Sequence, residues 1–288
     1  MRLQRLCFLI LPLLTLPAYA DSILGSAGSF AVLGASTVTN TGTTNITGDV
    51  GVYAGSAVTG FPPGIVTGGT IYSGGSVAQQ AQADTTTAYN TLAGMAVTQN
   101  LTGEVLGQNV GTFANPLAPG VYDFTSSAQL TGALYLNAEG NNDAFWVFQI
   151  GSTLTTASAS SVNFVNLGGT PDDGLFWQVG SSATLGTTTT FEGNILALAS
   201  ITLDTGASID CGRALAQTGA VTMDTNTIST GCAGLSGTNS AGSLAGTSGL
   251  SEGIGAGPSP VVPEPGSMAL LGSGMIALVR FARRRRLS

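Results

Sequence analysis

The chain has no histidine and no lysine, and only 8% of its 288 residues are charged. Soluble domains average about 25%. Ordinary acid–base catalysis loses its commonest side chains, and a Ser-His-Asp triad cannot be assembled. With three cysteines and no histidine, metal-ligand clusters are also missing, so no metal and no cofactor is expected. Arginine is scarce where it would matter. Arg2 and Arg5 open the chain and Arg283–Arg286 close it, leaving Arg213 and at most Arg280 in between. An acidic body of this kind, within a net charge of -7, cannot neutralise phosphates, which argues against a nucleic-acid partner.

What is abundant is glycine, at 42 residues, and apolar side chains, at 43%. Disordered chains lack apolar content on this scale. The expectation is an ordered domain rich in turns and poor in helix.

Both ends read as targeting segments. Residues 1–20 combine Arg2 and Arg5, the apolar run LCFLILPLLTLP and an Ala18-Tyr19-Ala20 cleavage site, the pattern of a secretory signal; a buried helix is the alternative. Export would remove Cys7 and leave Cys211 and Cys232. These read as one disulfide in an oxidising compartment, worth roughly 3 kcal/mol for a loop of about twenty residues, or else as two free thiols. Residues 233–260 form a Gly/Ser-rich linker. Residues 261–288 hold Pro263-Glu264-Pro265, an apolar run and the arginine cluster. The run is about fifteen residues, shorter than the roughly 20 of a spanning helix, and the arginines fit a positive-inside stop. This order resembles the PEP-CTERM sorting signal of bacterial surface proteins. The resemblance implies transient membrane anchoring, processing by an exosortase-type protease and delivery to the cell surface or its matrix. An ordinary C-terminal anchor is the alternative, and both place the body outside the cytoplasm.

Residues 21–232 repeat. Ala183-Thr184-Leu185, Ile201-Thr202-Leu203 and Val221-Thr222-Met223 recur at steps of 18 and 20 residues, and Ser152-Thr153-Leu154 precedes them. SSAQLTG at 126–132 matches SSATLGT at 181–187, and FQIGS at 148–152 matches WQVGS at 177–181. A short period with alternation inside each unit predicts a β-dominated solenoid, in which stacked coils bury what one coil cannot. One segment, SVAQQAQADTTTAYNTLAGM, predicts a helix. Ser76 and Gln79 form a capping box, Val77, Ala81, Ala88, Leu92 and Met95 an apolar face, and Gly94 a left-handed end. About 17 residues would span roughly 25 Å, enough to lie beside about five coils.

Carboxylates are the remaining reactive groups. Asp204 and Asp224 fall one coil apart, and read as solvated corner residues, a glycosidase pair or a Ca²⁺ site. Asp172-Asp173 reads as a turn, and Phe145-Trp146-Val147-Phe148 as a core strand or a sugar-stacking platform. The threonines are more regular. Flanked by inward apolar residues, Thr153, Thr184, Thr202 and Thr222 predict one outward column headed by Gln129; Thr131, Thr156, Thr187, Thr205 and Thr225 form a second, which shares the parity of the inward leucines and faces out only where a corner intervenes. Threonine also simply favours strands. A stiff face of hydroxyls and methyls suits an ordered-water partner, because β-branched side chains have few rotamers to lose.

The stretches FAVLGASTVTNTGTTNITGDVGV, DTTTAYNTLAG, LAPGVYDF, FWVFQIGSTLTT, GLFWQVGSSATLGTTTTFEGNILALASITLDTGAS and GRALAQTGAVTMDTNTI resemble bacterial and fungal ice-binding proteins of the DUF3494 type. The resemblance implies an irregular right-handed-type β-solenoid of triangular section with one long helix alongside. It implies adsorption to ice, without any reaction, that inhibits ice growth and recrystallisation. It implies also a T-A/G-x-T/N motif on the ice side, matched by Thr41-Gly42-Thr43-Thr44 and, with serine last, by Thr205-Gly206-Ala207-Ser208. Thr187-Thr188-Thr189-Thr190 keeps both end threonines, Thr156-Ala157-Ser158-Ala159 the first half, and Thr225-Asn226-Thr227 is shifted. The resulting candidate ice-binding residues are Thr153, Thr156, Thr184, Thr187, Thr190, Thr202, Thr205, Ser208, Thr222 and Thr225. A matrix or adhesion protein on the same scaffold, and a β-helical polysaccharide enzyme, are the competing readings.

Overall fold

The computed structural model describes residues 23–168 and 174–231, all in one compact unit. The expected signal segment, linker, sorting segment, Cys232 and Asp172-Asp173 lie outside the described residues.

The alternating apolar pattern produces short parallel strands that wind into coils. After a 3-10 turn at Gly25–Ser29, β1 (Phe30–Gly34), β2 (Thr37–Thr41) and β3 (Asn45–Thr47) make one coil, and β4 (Asp49–Val52), β5 (Ala57–Thr59) and β6 (Ile65–Thr67) a second. β7 (Ile71–Ser73) leads into α1 (Gly75–Ala93), after which β8 (Gln99–Asn100) and β9 (Val105–Leu106) restart the winding. Full coils follow in β10 (Gly120–Phe124), β11 (Ala128–Leu130) and β12 (Ala133–Asn137), then β13 (Phe145–Ile150), β14 (Leu154–Thr156) and β15 (Ser161–Val165). The rest comprises β16 (Gly174–Val179), β17 (Ala183–Leu185), β18 (Thr190–Ala197), β19 (Ile201–Leu203), β20 (Ser208–Ala216), β21 (Val221–Asp224) and β22 (Thr227–Ser229).

Stacking these coils makes three faces. The helix face runs β8-β10-β13-β16-β18-β20-β1-β4-β7, the threonine face β9-β11-β14-β17-β19-β21-β2-β5, and the third face β12-β15-β18-β20-β22-β3-β6. β18 and β20 turn the corner unbroken and serve two faces each, at a register shift between Glu192 and Asn194 where Gly193 takes φ 91°. The first coils do not sit beside the next ones in sequence. β1 pairs with β20 and β2 with β21, so the N-terminal segment extends the far end of the stack.

That order requires a return path, and α1 supplies it. Its nineteen residues span about 28 Å. Six strand spacings, from β7 to β13, span about 29 Å. At the β13 end the Gln149 amide donates to the carbonyls of Leu92 and Met95 at 2.7 and 3.0 Å, satisfying groups that a helix end leaves unpaired. The helix is longer than its sequence suggests and begins differently. Gly74 precedes it without a side-chain cap, because Ser76 already lies inside. Its buried side is Ala78, Ala81, Gln82, Thr85, Ala88 and Leu92, while Val77 is 47% exposed. Gly94 is right-handed, with φ -86°.

The core runs along the axis. The rings of Tyr122, Phe148 and Trp177 stack on successive coils with centroids 5.4 and 4.2 Å apart, and Phe191, on the same coil as Trp177, tilts against it at 4.9 Å. Trp146 and Phe148 are fully buried, so FWVF is a core strand and not a sugar platform. The indoles of Trp146 and Trp177 donate to the carbonyls of Leu117 and Glu192 at 3.2 and 3.1 Å. The period of 18–20 residues holds only for the last coils; Thr155 and Thr184 stand in register 29 residues apart, because β15 lengthens the third face.

Candidate functional site

On the threonine face β11, β14, β17, β19 and β21 bury the residues that flank an outward one, as in Ile201-Thr202-Leu203, and β2 does the same around Thr39. Parallel register then lines these outward residues up, with Thr59 at the end of β5 continuing the row. Gln129 faces Thr155, Thr155 faces Thr184, Thr184 faces Thr202, Thr202 faces Thr222, Thr222 faces Thr39 and Thr39 faces Thr59. Six threonines therefore stand in one unbroken row, about 24 Å long at the strand spacing. Thr184, Thr202 and Thr222 hold the places expected of them, and Gln129 extends the row.

Thr155 takes the place expected of Thr153. Leu154, not Thr153, is in register with the inward Ala183 and Ala128. Thr153 lies off the row and donates to the Ser127 hydroxyl at 2.8 Å. Thr156 points inward at 3% exposure, shares a 2.8 Å hydrogen bond with Thr189 and accepts the Gly186 N–H at 2.8 Å. Thr190 and Ser208 pair with each other on the third face, in a row that also holds Ser161, Thr227, Asn45 and Ile65. The ten expected residues thus divide among two faces, two corners and the core.

The signals for the missed positions were present. The match of SSAQL with SSATL aligns Gln129 with Thr184, and that of FQIGS with WQVGS, carried on at the same offset, aligns Thr155 with Thr184. Thr39 and Thr59 each follow a valine in the same apolar-threonine pattern, but nothing local shows that β2 docks beyond β21.

The corner between the threonine face and the third face carries Thr187, Thr205 and Thr225, all exposed. Here the backbone turns through a left-handed residue in each coil: Ala159, Thr188, Gly206, Thr225 and Gly42, with φ from 55° to 76°. Their N–H groups tie coil to coil, Ala159 to Thr187, Thr188 to Thr205, Gly206 to Asp224 and Thr225 to Thr41, at 2.9–3.1 Å. At Gly42 a side chain is also sterically barred, since a Cβ there would lie 2.2 Å from the Thr225 hydroxyl. The motif Thr41-Gly42-Thr43-Thr44 rounds this corner, and its last threonine is buried, accepting the Asn226 N–H at 3.0 Å.

Charge lies mostly elsewhere. Arg213, the sole cation among the described residues, is buried beneath the helix face. It donates to the Gly28 carbonyl through Nε at 2.9 Å and to Asn194 through Nη1 at 2.9 Å, binding the N-terminal turn to β18 and β20. Burial lowers it to about 10, so it stays protonated at neutral pH. Glu192 and Asp210 are register partners on the third face. Burial, with Asp210 adjacent, pushes Glu192 up to about 8, and burial also raises Asp210. Asp204 and Asp224 are the carboxylates at the threonine face. Among the described residues, no group of three or more cysteine, aspartate or glutamate side chains is placed to hold a metal ion.

Three faces, one covered by a helix and one bearing an in-register threonine row, define a β-solenoid that presents a repetitive surface. The family described as Ice-binding-like matches residues 32–229, and the PEP-CTERM protein-sorting motif matches residues 261–286. The chain is 53% identical over 270 residues to the ice-binding protein of Nostoc sp. (strain HG1), covering 93% of this chain and 89% of that protein. It is 34% identical over 221 residues to the ice-binding protein of Flavobacterium frigoris (strain PS1), covering 71% and 75%. Two solved structures resemble it with a TM-score of 0.65. The ice-binding protein of the Antarctic ascomycete Antarctomyces psychrotrophicus is 39% identical, covering 73% of this chain and 98% of that one. An ice binding protein from an Antarctic biological consortium is 43% identical, covering 77% and 96%. The chain belongs to the Ice-binding-like family, a family of ice-binding proteins and not of enzymes.

Proposed function

We propose that this protein binds ice through the threonine face and thereby inhibits ice growth and recrystallisation. The observation that carries the reading is the row of Thr155, Thr184, Thr202, Thr222, Thr39 and Thr59, one per coil and in register. Each contributes a hydroxyl and a methyl on a side chain with few rotamers. The hydroxyls hold waters at fixed positions, the methyls limit competing hydration, and the surface is ordered before it meets ice. Thr187, Thr205 and Thr225 widen the contact at the corner. The helix face cannot serve, because α1 covers it. The third face has a mixed outer row of serine, threonine, asparagine and the exposed Ile65, which disturbs a regular water layer.

The terminal segments complete the reading. Residues 1–20 direct export, Cys211 pairs with Cys232, and residues 233–260 link the body to the sorting segment. Cys211 itself is buried. The segment around Pro263-Glu264-Pro265 anchors the chain until an exosortase-type protease processes it, leaving the body at the cell surface or in the matrix of a bacterium. A matrix protein on the same scaffold would share all of this except ice. Recrystallisation inhibition by residues 21–232 alone separates the two. Small ice grains that persist on annealing are expected, and grains that coarsen as in buffer would leave the matrix reading.

A further inference from the structure

We propose that Asp224 is a positioning residue of the threonine face, whose carboxylate fixes the hydroxyl rotamers of Thr205 and Thr225 at the corner. The inference rests on reading that face as the ice-contacting surface. By sequence, Asp204 and Asp224 fit such a surface poorly, since an ionised carboxylate gathers its own water. The contacts give Asp224 a different role.

Asp224 ends β21 in register with Thr41 of β2, so it borders the threonine row. One carboxylate oxygen accepts from the Thr205 hydroxyl on the neighbouring coil. The other accepts from the Thr225 hydroxyl at 3.0 Å. The carboxylate also stands on a rigid support. The Asp224 N–H donates to Asn226 Oδ1 at 2.6 Å, and its carbonyl accepts the Gly206 N–H at 3.1 Å. Asn226 is buried, and its amide donates to the carbonyls of Asp204 and Ala207 at 2.9 Å each. Gly42 leaves the needed space, because a Cβ there would come within 3.1 Å of the Asp224 carboxylate.

A threonine hydroxyl has one hydrogen, and giving it to the carboxylate leaves the oxygen facing water as an acceptor alone. An ionised acceptor makes this bond stronger than a neutral one would. Fixing the hydroxyl fixes χ1, and with it the direction of the methyl. Two exposed side chains that would otherwise sample several rotamers are thus ordered in advance, and no freedom is lost there on adsorption. Two carboxylate acceptor positions are also filled by protein hydroxyls instead of free water.

The test compares the full chain with Asp224→Ala and Asp224→Asn in two measurements: thermal hysteresis, and the χ1 couplings of Thr205 and Thr225 by NMR. Asp224→Ala is expected to lose hysteresis severalfold and to show averaged couplings at both threonines. Asp224→Asn, whose side-chain oxygen still accepts, is expected to recover part of both. Unchanged or increased hysteresis in Asp224→Ala would overturn the proposal, as would couplings that keep a single rotamer. If Asp224→Ala fails to fold, Asp224→Asn decides on the same criteria, with one hydroxyl released instead of two. A native chain without hysteresis would remove the ice reading, and the couplings alone would then show whether Asp224 holds the two hydroxyls.

Discussion

Glu192 is only 4% exposed, and one of its carboxyl oxygens has no hydrogen-bond partner among the described residues. Burial and the neighbouring Asp210 hold its proton on up to about pH 8. In the unfolded chain it titrates near its ordinary value of 4.5. Between those values the folded state binds the extra proton, so stability falls as pH rises and levels off above about 8. Asp210, also raised by burial, adds with the same sign. Glu192→Gln is expected to flatten much of this loss, seen as a smaller fall in melting temperature from pH 5 to pH 9. An unchanged profile would contradict it. At this scale the sequence was partly legible. Thr184, Thr202 and Thr222 could be placed because each sits between two apolar residues. Thr155 and Thr156 are adjacent threonines, and the local pattern does not separate them; the match of FQIGS with WQVGS and the strand register place the first outward beside Thr184, while the second bonds to buried Thr189.

The helix shows what pattern does and does not reveal about an element. Its existence follows from the apolar periodicity, but its facing side does not follow from the larger apolar residues. Close packing on β1, β13 and β16 favours small side chains, so Ala78, Ala81, Thr85 and Ala88 meet the sheet while Val77 stays outside. Its far end depends on a residue 57 positions from Leu92, the Gln149 amide, which no local cap signal contains. Replacing Gln149 with Leu removes the donor from two carbonyls beneath the helix end. A loss of about 1–3 kcal/mol is expected in urea unfolding, with faster amide exchange in the last turn of α1. Native stability and exchange in this variant would show that solvent already satisfies those carbonyls.

At the scale of the molecule, the solenoid class was legible from repeats, because each coil buries its apolar residues only by stacking. The order of the coils was not. Two N-terminal coils pass to the far end and the chain returns through α1, so the threonine row is assembled from segments far apart in sequence. Thr39 is therefore expected to matter as much as Thr202, although 163 positions separate them. The central claim is that this composite face meets ice. Its most direct test is thermal hysteresis of Thr184→Tyr, Thr202→Tyr and Thr39→Tyr against Thr190→Tyr on the third face, each at equal concentration with melting temperature checked. A tyrosine in the row breaks its flatness, so loss of most hysteresis in the first three and near-native activity in Thr190→Tyr is the predicted result. Native activity in the three row variants, with loss in Thr190→Tyr, would place the ice contact on the third face and contradict the account.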